Sequence, residues 1–115
     1  MIAELEQLRN GLQKELGNIL HYWMQHTIDE KYGGFYGKID NDNIADNNAP
    51  KGLVLNARVL WTFSAAYNYT KEKKYLAIAD RAYQYLIDHF LDKQYEGFYW
   101  SVDKYGKSVD DKKQV

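Results

Sequence analysis

YGGFYGKID, Tyr32 to Asp40, returns later in the chain as YEGFYWSVD, Tyr95 to Asp103, at a constant offset of 63 residues. Tyr32, Gly34, Phe35, Tyr36, Ile39 and Asp40 align with Tyr95, Gly97, Phe98, Tyr99, Val102 and Asp103. Glycines among aromatic and apolar residues, followed by a polar run, read as an extended segment that ends in a turn. The preceding residues keep the same register: Leu12 falls on Tyr75, Leu16 on Ala79, Leu20 on Tyr83, Trp23 on Leu86, Met24 on Ile87 and His26 on His89. Agreement in the hairpin and in the stretch before it marks an internal repeat.

Working outward, residues 2 to about 27 form an amphipathic helix. Leu5, Leu8, Leu12, Leu16, Ile19, Leu20, Trp23 and Met24 recur at steps of three and four and define one buried face. Gly11 and Gly17 weaken that helix by about 1 kcal/mol each. After the first hairpin, Pro50 and Gly52 introduce a second helix over 52–69, GLVLNARVLWTFSAAYNY, which is apolar nearly all round and so expected to be buried on several sides. A third helix, about 72–91, is amphipathic through Tyr75, Leu76, Ala79, Ala82, Tyr83, Leu86, Ile87 and Phe90, with Thr70 as its expected N-cap.

The repeating unit is therefore an amphipathic helix, a hairpin and a buried helix. Half-polar helices alternating with apolar ones suit two concentric layers, the outer facing water and the inner lining a core. Six such units would need about 380 residues, so these 115 residues read as the opening third of a closed ring. An uncovered inner helix would present Leu53, Leu60, Trp61 and Phe63, and the isolated chain is expected to associate with itself through them.

Composition narrows the chemistry. With 45% hydrophobic and 27% charged residues the chain has enough apolar surface to fold. A net charge of −1 gives no attraction to nucleic acid or an anionic membrane. The absence of cysteine removes disulfides, thiolate nucleophiles and Cys-ligated zinc. The first residues lack a signal-type apolar block, so a cytoplasmic protein is expected. Eleven tyrosines and three tryptophans, many beside glycines, suit sugar binding, because ring faces stack on C–H faces while polar edges meet hydroxyls.

Arg58 is the most informative residue. It lies among Ala57, Val59, Leu60 and Trp61 on the helix expected to be most buried, and a guanidinium cannot shed its charge there. It is either half of a buried ion pair with a carboxylate or a cation aimed into an axial cavity. Asn56 points about 200° away round the helix and either touches substrate or pairs with nearby backbone. Tyr36 and Tyr99 flank hairpin glycines and are placed to reach a cavity mouth. Trp61 and Phe63 read as core. His21, His26 and His89 lie on outer helices and read as surface or loop-packing residues. The run NDNIADNN lacks the spacing of a calcium loop and reads as a solvated loop.

The string KGLVLNARVLWTFSAAY, preceded by YGGFYGKIDNDN and followed by YEGFYWSVDKYGK, resembles the N-terminal region of the N-acylglucosamine 2-epimerase family, and most of all its cellobiose-acting members. The resemblance covers essentially the whole chain. It implies an all-α fold with short β-hairpins, residues 1–115 being the N-terminal portion of a single six-hairpin α/α barrel domain. It implies epimerisation at the reducing-end C2 of a glucose or mannose unit without metal or nicotinamide. One His removes the C2 proton, a second returns it to the other face, and an enediolate lies between. The family's arginine maps onto Arg58, with the implied role of holding substrate oxygens and stabilising developing negative charge. The two proton-carrying histidines would lie beyond Val115, and residues 1–115 alone would be inactive. Two rivals share parts of this pattern. An α/α-barrel glycosidase would use a carboxylate pair, for which Asp40, Glu96 and Asp103 near the hairpins are the material. A helical-repeat binding module would need no chemistry, but its usual periods of about 34 or 40-odd residues do not fit.

Overall fold

The computed structural model describes residues 1–108 and 113–114. Three helices dominate: α1 (Ile2–His26), α2 (Leu53–Thr70) and α3 (Lys73–Tyr85), the last running on into a π-helical turn, Leu86–Phe90. Four two-residue strands, β1 (Lys51–Gly52), β2 (Phe98–Tyr99), β3 (Ser101–Val102) and β4 (Lys113–Gln114), make two antiparallel ladders, β1 with β3 and β2 with β4. No helix among the described residues is long and apolar enough to cross a membrane.

The repeat is reproduced at the level of single hydrogen bonds. Ile28 bridges Phe35 and Leu91 bridges Phe98, both 63 residues apart in register. The Asp29 amide donates to the Gly34 carbonyl and the Asp92 amide to the Gly97 carbonyl. Each aspartate then caps its own turn, Asp29 Oδ1 accepting from the amides of Lys31 and Tyr32, Asp92 Oδ1 from those of Gln94 and Tyr95. Further on, Asp40 Oδ1 accepts from the amides of Asp42 and Ile44, and Asp103 Oδ1 from those of Tyr105 and Lys107. A short aspartate side chain mimics a backbone turn in this way. The matched turn thus reaches back from Tyr32 through Asp29 to Ile28.

The core sits between α2 and α3. α2 buries Asn56, Val59, Phe63 and Ala66, and α3 buries Tyr75, Ile78, Ala79, Ala82 and Tyr85, with Leu20 and Phe35 closing one end. Both sets follow the three-four spacing of a single helix face. The sequence points to an inner helix that is buried on several sides in a closed ring and uncovered on one side in these 115 residues, and only one stripe of α2 is covered. Phe63 is buried, Leu53 and Leu60 are half-buried and Trp61 is 74% exposed, so Trp61 is not a core residue here.

α1 departs further from expectation. Of its apolar face only Leu20 is buried, while Leu5, Leu8 and Leu12 are about 60% exposed. The equivalents of Leu12 and Ile19 in α3, Tyr75 and Ala82, are buried because α2 and the first hairpin lie against them. Equal registers therefore bury different faces: Leu20 is covered and its repeat partner Tyr83 is 55% exposed. A second correction concerns the third helix, whose α-helical part stops at Tyr85. Thr70 closes α2 rather than capping α3. Its hydroxyl donates to the Ala66 carbonyl and accepts from the Glu72 amide, and Glu72 is the N-cap residue.

The two hairpins differ at one telling place. Gly37 corresponds to Trp100, and a Cβ built on Gly37 would stand 1.9 Å from the Pro50 carbonyl oxygen. The first hairpin is closed over by the chain entering β1, whereas the second holds an indole. Gly37→Ala is expected to destabilise the full-length protein by about 1–3 kcal/mol, because a backbone atom must move to admit the methyl. Chemical denaturation measures this, and an unchanged midpoint would show that the 49–50 segment yields freely.

Candidate functional site

β1 leads directly into α2, and the pairing of Lys51 with Val102 and Gly52 with Ser101 sets β3 against the first turn of that helix. The Leu53 amide continues the ladder by donating to the Trp100 carbonyl at 3.0 Å. Trp100 is thereby carried to the exposed side of α2, where Leu53, Val54, Ala57, Arg58, Trp61 and Thr62 recur at helical spacing. These residues and Trp100 enclose an open cavity of about 660 Å³.

Arg58 is exposed into this cavity, not buried among its apolar neighbours. Among the described residues no hydrogen bond or ion pair holds its guanidinium, so a buried Arg–carboxylate pair finds no partner there. It also borders a second cavity of about 330 Å³, between α1 and α2, lined by Ile19, Trp23 and Phe63 among others. A planar cation with five free N–H donors, framed by two indoles, can grip neighbouring oxygens of a polyol while the rings cover its C–H faces.

The other candidates go elsewhere. Asn56 is fully buried, and its Nδ2 donates to the Gly52 carbonyl at 2.9 Å, tying down the first turn of α2. Its Oδ1 has no partner among the described residues, and Asn56 does not line the Arg58 cavity. Tyr36 lines a separate polar cavity of about 290 Å³ with Tyr32, Asn47, Asn48 and Lys104. Tyr99 is half-buried in β2, opposite Lys113 and one residue before Trp100. His21 is exposed, His26 stacks against Tyr22 with ring centroids 4.7 Å apart, and His89 Nδ1 lies 3.2 Å from the Gly106 carbonyl. None of the three lines the Arg58 cavity. The carboxylates offered for a glycosidase act in turns: Asp40 and Asp103 accept amides of their own loops, and the Lys107 amide chiefly holds the Asp103 carboxyl below its ordinary value.

Two features escaped the sequence reading. One is Trp100, whose repeat partner is glycine; that mismatch was the signal. The other is a buried ion pair at the root of α2. Lys51, 1% exposed, places Nζ 2.8 Å from Asp29 Oδ2, 2.7 Å from the Gly33 carbonyl and 3.2 Å from that of Lys104. All three ammonium hydrogens are used. Burial alone would raise the Asp29 carboxyl, but the Lys51 ammonium and the amides of Tyr32 and Lys31 outweigh it and hold it below its ordinary value. Arg81 braces the same turn, donating to the carbonyls of Asp29 and Gly34. Tyr85 packs on Gly34 and beneath the ammonium, 5.3 Å from its ring centroid. Burial, then the charges of Asp29 and Asp103, push its phenol up to about 12, so it stays neutral.

Comparison with known proteins places the chain in a family. Residues 33–115 match the model of the N-acylglucosamine 2-epimerase (GlcNAc 2-epimerase) family. A cellobiose 2-epimerase of Bacteroides fragilis is 47% identical over 111 residues, 96% of this chain and 28% of the relative. One from Dictyoglomus turgidum is 39% identical over 113 residues, 97% and 29% respectively. The solved cellobiose 2-epimerase of Spirochaeta thermophila superimposes with a TM-score of 0.86 at 40% identity, over 93% of this chain and 26% of that one. The chain thus spans little more than a quarter of the length of these relatives, and its helices and short strands correspond to an N-terminal portion of their α/α barrel. On the match over residues 33–115, the chain belongs to the N-acylglucosamine 2-epimerase family.

Proposed function

We propose that this chain forms part of a sugar 2-epimerase acting on cellobiose, inverting C2 of the reducing-end glucose unit to the mannose configuration. The similarity to cellobiose 2-epimerases over 96% of the chain carries the reading. Arg58, unpaired among the described residues and lining one cavity with Trp61 and Trp100, supports it.

In this reading the ring-opened sugar presents its C1 carbonyl and C2 hydroxyl to the guanidinium. A base removes the C2 proton, the C–H electron pair forms a C1–C2 double bond, and the carbonyl oxygen gains the negative charge. Arg58 donates to that oxygen, and such a donor is worth most where water is excluded. Return of a proton to the opposite face of C2 restores the aldehyde with inverted configuration, and nothing is oxidised or reduced overall. Two proton carriers on opposite faces are needed. His21, His26 and His89 do not line the cavity, and the family resemblance implies that both carriers belong to the remainder of the protein.

The test is exchange. The full-length protein incubated with cellobiose in heavy water should place deuterium at C2 of the reducing unit and leave the glycosidic bond intact. Residues 1–115 alone should give no exchange. Free glucose without C2 label would instead mark a glycosidase, and exchange by the isolated chain would show that both proton carriers lie within it.

A further inference from the structure

Lys51 does more than neutralise Asp29. Its acceptors belong to both repeats: Asp29 and Gly33 lie in the first turn, and the Lys104 carbonyl belongs to the second hairpin. Its own backbone pairs with Val102, and two residues on the Leu53 amide holds the Trp100 carbonyl. One ammonium thus ties the first turn, the root of α2 and the second hairpin to a single point. Arg58 stands about one and a half helical turns from the start of α2 at Leu53, and Trp100 lies between β2 and β3, two residues before the Val102 that pairs with Lys51; both line the same cavity. A buried ion pair is seldom worth more to stability than apolar residues of equal size. What three directed donors add is a fixed relation between segments that apolar contact leaves free to slide.

We propose that Lys51, held by Asp29, is a positioning residue for the sugar site: it fixes where the Trp100 indole stands relative to the Arg58 guanidinium, without touching substrate itself. This rests on the epimerase reading above. Loss of the clamp lets the second hairpin shift along α2, and the cost is paid where the indole covers the sugar.

The experiment is a double-mutant cycle in the full-length enzyme, comparing Lys51→Met, Trp100→Ala and the double variant for kcat and KM on cellobiose, at a temperature where circular dichroism shows each one folded. Lys51→Met is expected to raise KM about tenfold and to change kcat less. In the double variant the two effects should not multiply, because an indole already misplaced has less left to lose. Lys93→Met, an exposed lysine, should leave both constants unchanged. If Lys51→Met does not fold, Asp29→Asn keeps the side-chain shape, removes the charge, and enters the same cycle. Fully multiplicative effects, or a lowered melting temperature with unchanged KM and kcat, would overturn the proposal. A parent enzyme without C2 exchange would overturn the epimerase reading and this proposal with it.

Discussion

Arg58→Met in the full-length enzyme is expected to lower turnover on cellobiose by about 100- to 1,000-fold, the usual cost of deleting one donor from a charge-stabilising site. The unfolding temperature should barely move. Arg58 is exposed and unpaired among the described residues, so its removal orphans no carboxylate of theirs and opens no hole in the core between α2 and α3. Met keeps much of the aliphatic stem and loses only the guanidinium. Arg58→Lys retains charge but not the planar fork, and should recover part of the lost rate. Turnover and thermal unfolding measured on the same samples separate this from a packing role, in which stability would fall first and activity in proportion. Near-normal turnover in both folded variants would remove Arg58 from the chemistry.

Much of the architecture was legible because a repeat repeats its physics. The glycine-aromatic match between Tyr32 and Tyr95 led to paired turns that share most of their hydrogen bonds, among them Asp29 to Gly34 and Asp92 to Gly97. Helix limits followed from periodicity and from Pro50 and Gly52. What failed was burial, for a single reason. Periodicity tells which face of a helix is apolar, not whether a partner lies against it. Leu5, Leu8 and Leu12 carry the right pattern and stay exposed, and the same holds for Trp61 on α2. Arg58 was placed in an apolar helix, yet it falls between the buried stripe of Asn56, Val59, Phe63 and Ala66 and the open cavity.

The site was half legible. Asn56 lies on the opposite side of α2 from Arg58, as its 200° offset required, and spends its amide on the helix start. Tyr36 and Tyr99 flank glycines as read, but strand pairing at β2 and β3 brings Trp100 to the Arg58 cavity instead. Lys51 and Asp29 are 22 residues apart with nothing in their spacing to pair them. Only the closure of the first turn and the entry into β1 bring the two charges together. Long-range ion pairs are set by topology, which local pattern does not carry.

That pair sets the second large expectation. Asp29→Asn in the full-length protein should lower stability by about 3–5 kcal/mol, because the Lys51 ammonium stays buried without its counter-charge. The amide still accepts from the Lys31 and Tyr32 amides through Oδ1, so the turn keeps its shape and the loss reports mainly the charge. The sign with pH follows from the lowered carboxyl. Between its folded and unfolded values the unfolded chain binds more protons, so stability rises with pH across that window. The stabilisation is complete above the unfolded value of about 4 and is lost as pH falls through the folded one. Urea midpoints recorded from pH 7 down to pH 3 should therefore fall for the parent below about pH 4, while Asp29→Asn starts lower and runs flatter there. Parallel curves for the two proteins would mean that Asp29 is not the group being titrated and that the Lys51 ammonium has found another counter-charge.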